Sequence, residues 1–136
     1  MVRLFLYTDG ASRGNPGPAA YGFVLINDAG NVLHEEGRKI GMNTNNVAEY
    51  TALREGLKQA LLFGASSVEC FSDSQLVVKQ MSGEYKIKQA HLQEIAQEIR
   101  GLAERIGKVN YTWVRRNTGP VERADALCNL ALDGAI

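Results

Sequence analysis

The sequence predicts an α/β protein built on a mixed β-sheet with helices on both faces. Three observations predict it. Alternating apolar residues open the chain and recur through a hairpin, which gives an antiparallel meander. From Asn45 the apolar period lengthens to helical spacing. Short strands then alternate with helices, so the order reads β-β-β-α-β-α-α-β-α and sets parallel strands beside the meander.

Each element has its own signal. Val2, Leu4 and Leu6 alternate with Arg3, Phe5 and Tyr7, a strand packed on both faces that ends at Thr8-Asp9-Gly10. The Gly/Pro/Asn-rich stretch Gly10 to Pro18 reads as a loop. Tyr21 to Ile26 is a strand, Asn27 to Gly30 a turn, and Asn31 to Ile40 the hairpin partner. Val47, Tyr50, Leu53, Leu57, Ala60 and Leu61 mark a helix from Asn45 to Phe63, closed by Gly64. Ser67 to Ser72 is a short strand, and Asp73-Ser74 caps a short helix through Met81. Leu92, Ile95, Ala96, Ile99, Leu102, Ala103 and Ile106 form the cleanest amphipathic stripe, ended by Gly107. Val109, Tyr111 and Trp113 alternate as the last strand, with Tyr111 and Trp113 expected in the core. Arg115 to Arg123 reads as a loop and Ala124 to Leu132 as the terminal helix.

Composition narrows the function classes. A chain of 136 residues with 45% hydrophobic and 22% charged residues is expected to form one domain over residues 1–136 and is not disordered. No apolar run approaches the roughly 18 residues of a membrane helix, and the opening residues are too short and alternating for a signal peptide. Cys70 and Cys128 make neither a disulfide scaffold nor a zinc site, so buried thiols and a reducing, cytoplasmic setting are expected. Fifteen Lys+Arg balance fifteen Asp+Glu. Any polyanion binding must therefore come from local patches.

Four carboxylates carry the chemical argument, although each has an ordinary local role. Asp9 sits in an Asp-Gly turn signal. Glu49 falls three residues after Asn46, as in a capping box. Asp73 lies between strand and helix, where an N-cap belongs. Asp125 falls in the first turn of the predicted last helix, where the macrodipole favours an acid. Taken jointly they converge. Asp9 and Asp73 end strands that should be adjacent and parallel, and the helices carrying Glu49 and Asp125 begin at the same sheet edge. Four carboxylates held together repel unless a cation neutralises them. Oxygen ligands of this kind suit Mg²⁺ or Mn²⁺, and two such ions about 4 Å apart support in-line phosphodiester hydrolysis.

At this point four blocks matter together: Tyr7-Thr8-Asp9-Gly10-Ala11-Ser12 with Gly14-Asn15-Pro16-Gly17, Thr44 to Tyr50, Ser72 to Val77, and Ala124 to Leu127. In this order and spacing the chain resembles the type 1 ribonuclease H family over nearly its whole length. The resemblance implies a ribonuclease H-like fold with a five-stranded mixed sheet, and an endonuclease that cuts the RNA strand of RNA–DNA hybrids. It implies Asp9, Glu49, Asp73 and Asp125 as catalytic metal ligands for two Mg²⁺ or Mn²⁺ ions per site with substrate. Substrate contacts would come from Gly10, Ala11, Ser12, Asn15, Thr44, Asn45, Asn46 and Ser74. Among these, Asn45 and Asn46 would touch minor-groove edges, and backbone amides near Gly10 and Ala11 would meet 2′-hydroxyls. Contacts of that kind are how proteins tell RNA from DNA. The local alternative for Asn45 and Asn46 is helix capping, expected of one of them.

Two departures from the family pattern stand out. Many members carry a His in the loop before the last carboxylate, and Arg115 to Arg123 contains none. Glu122 is a weak substitute, while Arg116 and Asn117 are candidate phosphate contacts. His34 falls in the meander and His91 on a helix, so neither replaces it. Some relatives also carry a Lys/Arg-rich helical protrusion. Here the segment from Met81 to Leu92 holds only Lys86 and Lys88, with Lys79 before it. This resembles compact bacterial and archaeal members, some of which also cut duplex RNA, and that activity stays open. A monomer without membrane attachment is expected. The rival classes are a hybrid-binding module without catalysis, disfavoured by the presence of all four carboxylates, and a strand-transfer or junction nuclease. The latter usually has other carboxylate patterns and extra DNA-binding domains, for which 136 residues are expected to leave no room.

Overall fold

The computed structural model describes residues 1–136. Nine elements follow in the predicted order: β1 (Arg3–Ser12), β2 (Gly17–Asn27), β3 (Val32–Asn43), α1 (Asn45–Leu62), β4 (Ser67–Ser72), α2 (Gln75–Met81), α3 (Ala90–Ile106), β5 (Lys108–Trp113) and α4 (Gly119–Leu132). They build one five-stranded sheet in the order β3-β2-β1-β4-β5. β1, β2 and β3 pair antiparallel, while β4 pairs parallel with both β1 and β5.

Helices cover both faces. α1 packs on β1 and β2 with α3 behind it, and α4 lies across β1, β2 and β3 on the other side. Leu4, Leu6, Phe23, Leu25 and Val68 meet Tyr50, Leu53 and Leu57 of α1 and Ile95 and Ile99 of α3 in the main core. Sandwiched between sheet and α3, α1 buries every residue from Val47 to Leu53. Beneath α4 a smaller cluster joins Ala20, Cys128 and Ala131. These small side chains let the helix approach closely. The approach is tightest at Gly22, where a Cβ would fall on the Ala124 carbonyl.

Several boundaries differ from expectation. Gly10 to Pro18 is not one loop: β1 runs on to Ser12, paired with Ala19 of β2, and only residues 13–16 turn. Ladder hydrogen bonds outweigh the Gly/Pro composition there. β3 likewise continues to Asn43, because Gly17 of β2 offers it a partner. α4 begins five residues before the expected Ala124. Gly119-Pro120 starts it after Thr118, since proline fits a first helical turn with its fixed φ and missing N–H. α1 is capped by Thr44, whose hydroxyl accepts from the Val47 N–H at 3.2 Å, not by Asn45 or Asn46. α2 is capped by the Ser74 side chain rather than by Asp73. Trp113 is not core. It is 42% exposed on the edge strand β5, while Tyr111 packs against the core as expected. Cys70 and Cys128 are buried, unpaired thiols.

Candidate metal centre

The parallel register of β1 and β4 sets Thr8 beside Ser72, so Asp9 and Asp73 emerge together one residue later. α1 starts just above them. At Gly10 a Cβ would fall on the Ala48–Glu49 backbone, so glycine is what allows this close approach. Glu49 therefore lies in the second turn of α1 and not at a capping-box position. The result is a cluster in which oxygens of Asp9, Glu49 and Asp73 all lie within 4.8 Å of one another.

The cluster is dry. Asp9 is 1% exposed and Glu49 9%. The Gly10 N–H donates to Asp9 Oδ1 at 2.9 Å and also to Glu49 Oε1. Asp9 Oδ2 is buried without any hydrogen-bond partner. Burial, then the neighbouring Asp73 and Asp125, push the Asp9 carboxyl up to about 7. Burial and then the Asp9 charge push Glu49 well up too. Such a set of oxygens, with one lone carboxylate oxygen aimed at nothing, fits a hard divalent cation.

Asp125 stands at the rim. It is half-buried on the second turn of α4, not in a first turn favoured by the macrodipole, and it lines the same cleft. Its place follows from Gly22, which pairs with Asp9 in the ladder and carries the adjacent Ala124 on its bare face. Arg116 closes another side: its Nε donates to Asp73 Oδ2 at 3.0 Å while the side chain stays 70% exposed. The Trp113 indole N–H donates to the Asp73 carbonyl at 3.1 Å.

The cleft of about 550 Å³ is lined by Gly10, Ala11, Ser12, Asn45, Asn46, Ser74 and Arg116 among the expected substrate residues. Asn45 Oδ1 accepts from the Ser12 N–H at 2.8 Å and from Ser12 Oγ at 3.0 Å. The Asn45 N–H donates to Asn15 Oδ1 at 3.0 Å. Asn15 thus ties down the start of α1 and the Thr44 hydroxyl caps it, and neither residue lines the cleft itself. Asn117 lies in an exposed turn outside the cleft, and Glu122 is exposed on the first turn of α4. Arg13 and Asn129, unforeseen from sequence, also line it. Asn129 follows Asp125 by four residues, one helical turn on the same face, which was the available signal. Beside the cleft and sharing Asn46 with it, a second groove of about 570 Å³ carries Tyr85, Lys86 and Lys88.

Fold and site together define the ribonuclease H-like class: a β3-β2-β1-β4-β5 mixed sheet with carboxylates where the two central parallel strands end. Residues 7–131 match the family model described as reverse transcriptase-like. A ribonuclease HI of Halobacterium salinarum is 46% identical over 133 residues, 98% of this chain and 66% of that protein. The solved ribonuclease H1 structure from that archaeon superposes with a TM-score of 0.92 at 45% identity, over 97% of this chain and 98% of that one. LC11-RNase H1, solved in complex with an RNA/DNA hybrid, gives a TM-score of 0.90 at 42% identity, over 97% and 98% of the two chains. The chain belongs to the type 1 ribonuclease H family. A bifunctional protein of Mycobacterium tuberculosis is 43% identical over 135 residues, which is 98% of this chain but only 36% of that protein. The chain therefore spans about a third of the length of some curated relatives that it matches.

Proposed function

We propose that residues 1–136 act as one monomeric, cytoplasmic catalytic domain that hydrolyses the RNA strand of RNA–DNA hybrids with the help of Mg²⁺ or Mn²⁺. The observation that carries this reading is the buried three-carboxylate cluster with an unpartnered Asp9 Oδ2. Asp9, Glu49 and Asp73 would hold the ions, with Asp125 completing the set from the rim. Two bound ions supply an activated water and charge stabilisation on the leaving oxygen of a phosphodiester.

The chain's own residues supply the rest. The Gly10 N–H fixes the orientation of both buried carboxylates through its two hydrogen bonds. Arg116 holds Asp73 by Nε and leaves its other donors facing solvent, where a phosphate would approach. Asn45 and Asn46 present the polar wall suited to minor-groove edges, next to the backbone of Gly10 and Ala11 for 2′-hydroxyls. Lys86 and Lys88 in the adjoining groove suit the phosphates of the second strand. All four carboxylates come from one chain, which supports a monomer. No helix is long and apolar enough to cross a membrane, and the two free buried thiols fit a reducing compartment.

The test is cleavage of one labelled sequence as RNA–DNA hybrid, duplex RNA, duplex DNA and single strand, with Mg²⁺, Mn²⁺ or chelator. Cutting of the hybrid's RNA strand that stops with chelator is expected. An intact hybrid with both metals, or equal cutting of duplex DNA, would overturn the assignment. The duplex RNA arm decides whether that second substrate is also used.

A further inference from the structure

A buried amide links the helix of Glu49 to the loop that carries the groove lysines. Gln80 of α2 is 7% exposed, yet both ends of its side chain are engaged. Its Oε1 accepts from the Tyr50 hydroxyl, and its Nε2 donates to the Lys86 carbonyl at 3.3 Å. Tyr50 is fully buried and follows Glu49 directly on α1. Residues 82–89, between α2 and α3, contain neither helix nor strand, so individual bonds determine the shape of this segment. One such bond runs from Gln93 Nε2 to the Ile87 carbonyl at 2.6 Å. Two side-chain amides thus grip consecutive carbonyls just ahead of Lys88.

Burying an amide costs free energy unless its polar atoms are paired, and an apolar residue would fill the same space without that requirement. The pairing at Gln80 does something an apolar residue cannot: it ties the Lys86 carbonyl through one side chain to the Tyr50 hydroxyl of α1. We propose that Gln80 is a positioning residue for substrate binding, holding Lys86 and Lys88 in register with the carboxylate cluster so that phosphates in the groove place the RNA strand at the metals. This rests on the reading of the lysine groove as part of the hybrid-binding surface.

The experiment measures hybrid affinity in chelator across a salt series, steady-state cleavage in Mg²⁺, and denaturant stability for each variant. Gln80→Met removes both bonds and strands the Tyr50 hydroxyl. It is expected to weaken hybrid binding roughly five- to tenfold and to flatten the slope of log K against log [salt] by about one unit. KM should rise in step while kcat at saturating hybrid changes less than about twofold. Adding Tyr50→Phe makes both buried partners apolar and should recover stability, but not binding, because the Lys86 carbonyl still lacks its donor. Binding that returns with stability in the double variant, or an unchanged affinity and slope in Gln80→Met, would show that Gln80 only fills space. Lys86→Ala with Lys88→Ala serves as the reference: it must itself weaken binding and flatten the slope. A silent lysine pair would refute the groove assignment and the role of Gln80 with it, whereas active lysines beside a silent Gln80→Met would refute the role of Gln80 alone.

Discussion

Asp9 would face two opposing demands, since holding the proposed cation needs its charge while it is buried beside other acids. In the metal-free protein burial and the neighbouring acids push its carboxyl up to about 7, well above the ordinary carboxylate range. Between about pH 4 and that value the folded chain holds a proton that the unfolded chain has already released. Metal-free stability therefore falls as pH rises through this window, and the penalty is fully present above it. Asp9→Asn removes the penalty and should stabilise the metal-free protein by ~1 kcal/mol or more at pH 8, a gain that vanishes by about pH 4. Denaturant melts in chelator at both pH values check this, and a variant less stable than the parent at pH 8 would mark Asp9 as purely structural. Adding Mg²⁺ should stabilise the parent more than the variant. Asp73→Asn should drop hybrid cleavage to below a few per cent while hybrid affinity stays within about twofold, because the groove contacts are untouched. Single-turnover rates and anisotropy titrations separate the two quantities.

Helix placement depends on a few small contacts. Gly22 carries no Cβ where Ala124 of α4 rests, and that contact sets Asp125 beside Asp9. Gly22→Ala must push α4 off the sheet. A loss of about 1–3 kcal/mol is expected, together with a fall in cleavage, as Asp125 moves with its helix. Thermal melts and the hybrid assay read these together, and a stable, fully active Gly22→Ala would show that α4 can shift without cost. At the start of α1, Thr44→Ala should cost about 1 kcal/mol through loss of the cap to Val47. The order and type of every element were legible in the sequence, because periods of two and 3.6 mark them directly. Their ends were less so. β1, β3 and α4 each run beyond the expected limits, since strand pairing and a first-turn proline extend elements where composition alone suggests a loop.

At the scale of the whole molecule, charge balance limits binding. With fifteen basic and fifteen acidic residues, Lys86 and Lys88 in the second groove and Arg13 and Arg116 in the first cleft, a bound hybrid would have only a handful of phosphates neutralised. The slope of log K against log [salt] for hybrid binding should be about −2 to −4, a handful of released counterions. A slope of about −8 or steeper would reveal a basic surface elsewhere on the molecule. The sheet also gathers the carboxylates, since its two central parallel strands end side by side beneath α1.

The sequence by itself determined the class of fold, the parallel pairing that brings Asp9 to Asp73, and the four carboxylates that line one cleft, because strand period, helix period and element order can be read along the chain. Only the tertiary structure decided how those carboxylates divide. Three form a tight buried cluster and Asp125 stays at its rim, a difference set by how closely α1 sits over Gly10 and α4 over Gly22. Tertiary structure also decided that Arg116 is paired with Asp73, that Asn117 lies in an exposed turn outside the cleft lining, and that Trp113 lies exposed with its indole N–H on the Asp73 carbonyl. Each of these depends on which side of a turn or edge strand meets a neighbour far along the chain. Contacts of that kind have no period, so no local pattern in the sequence announces them.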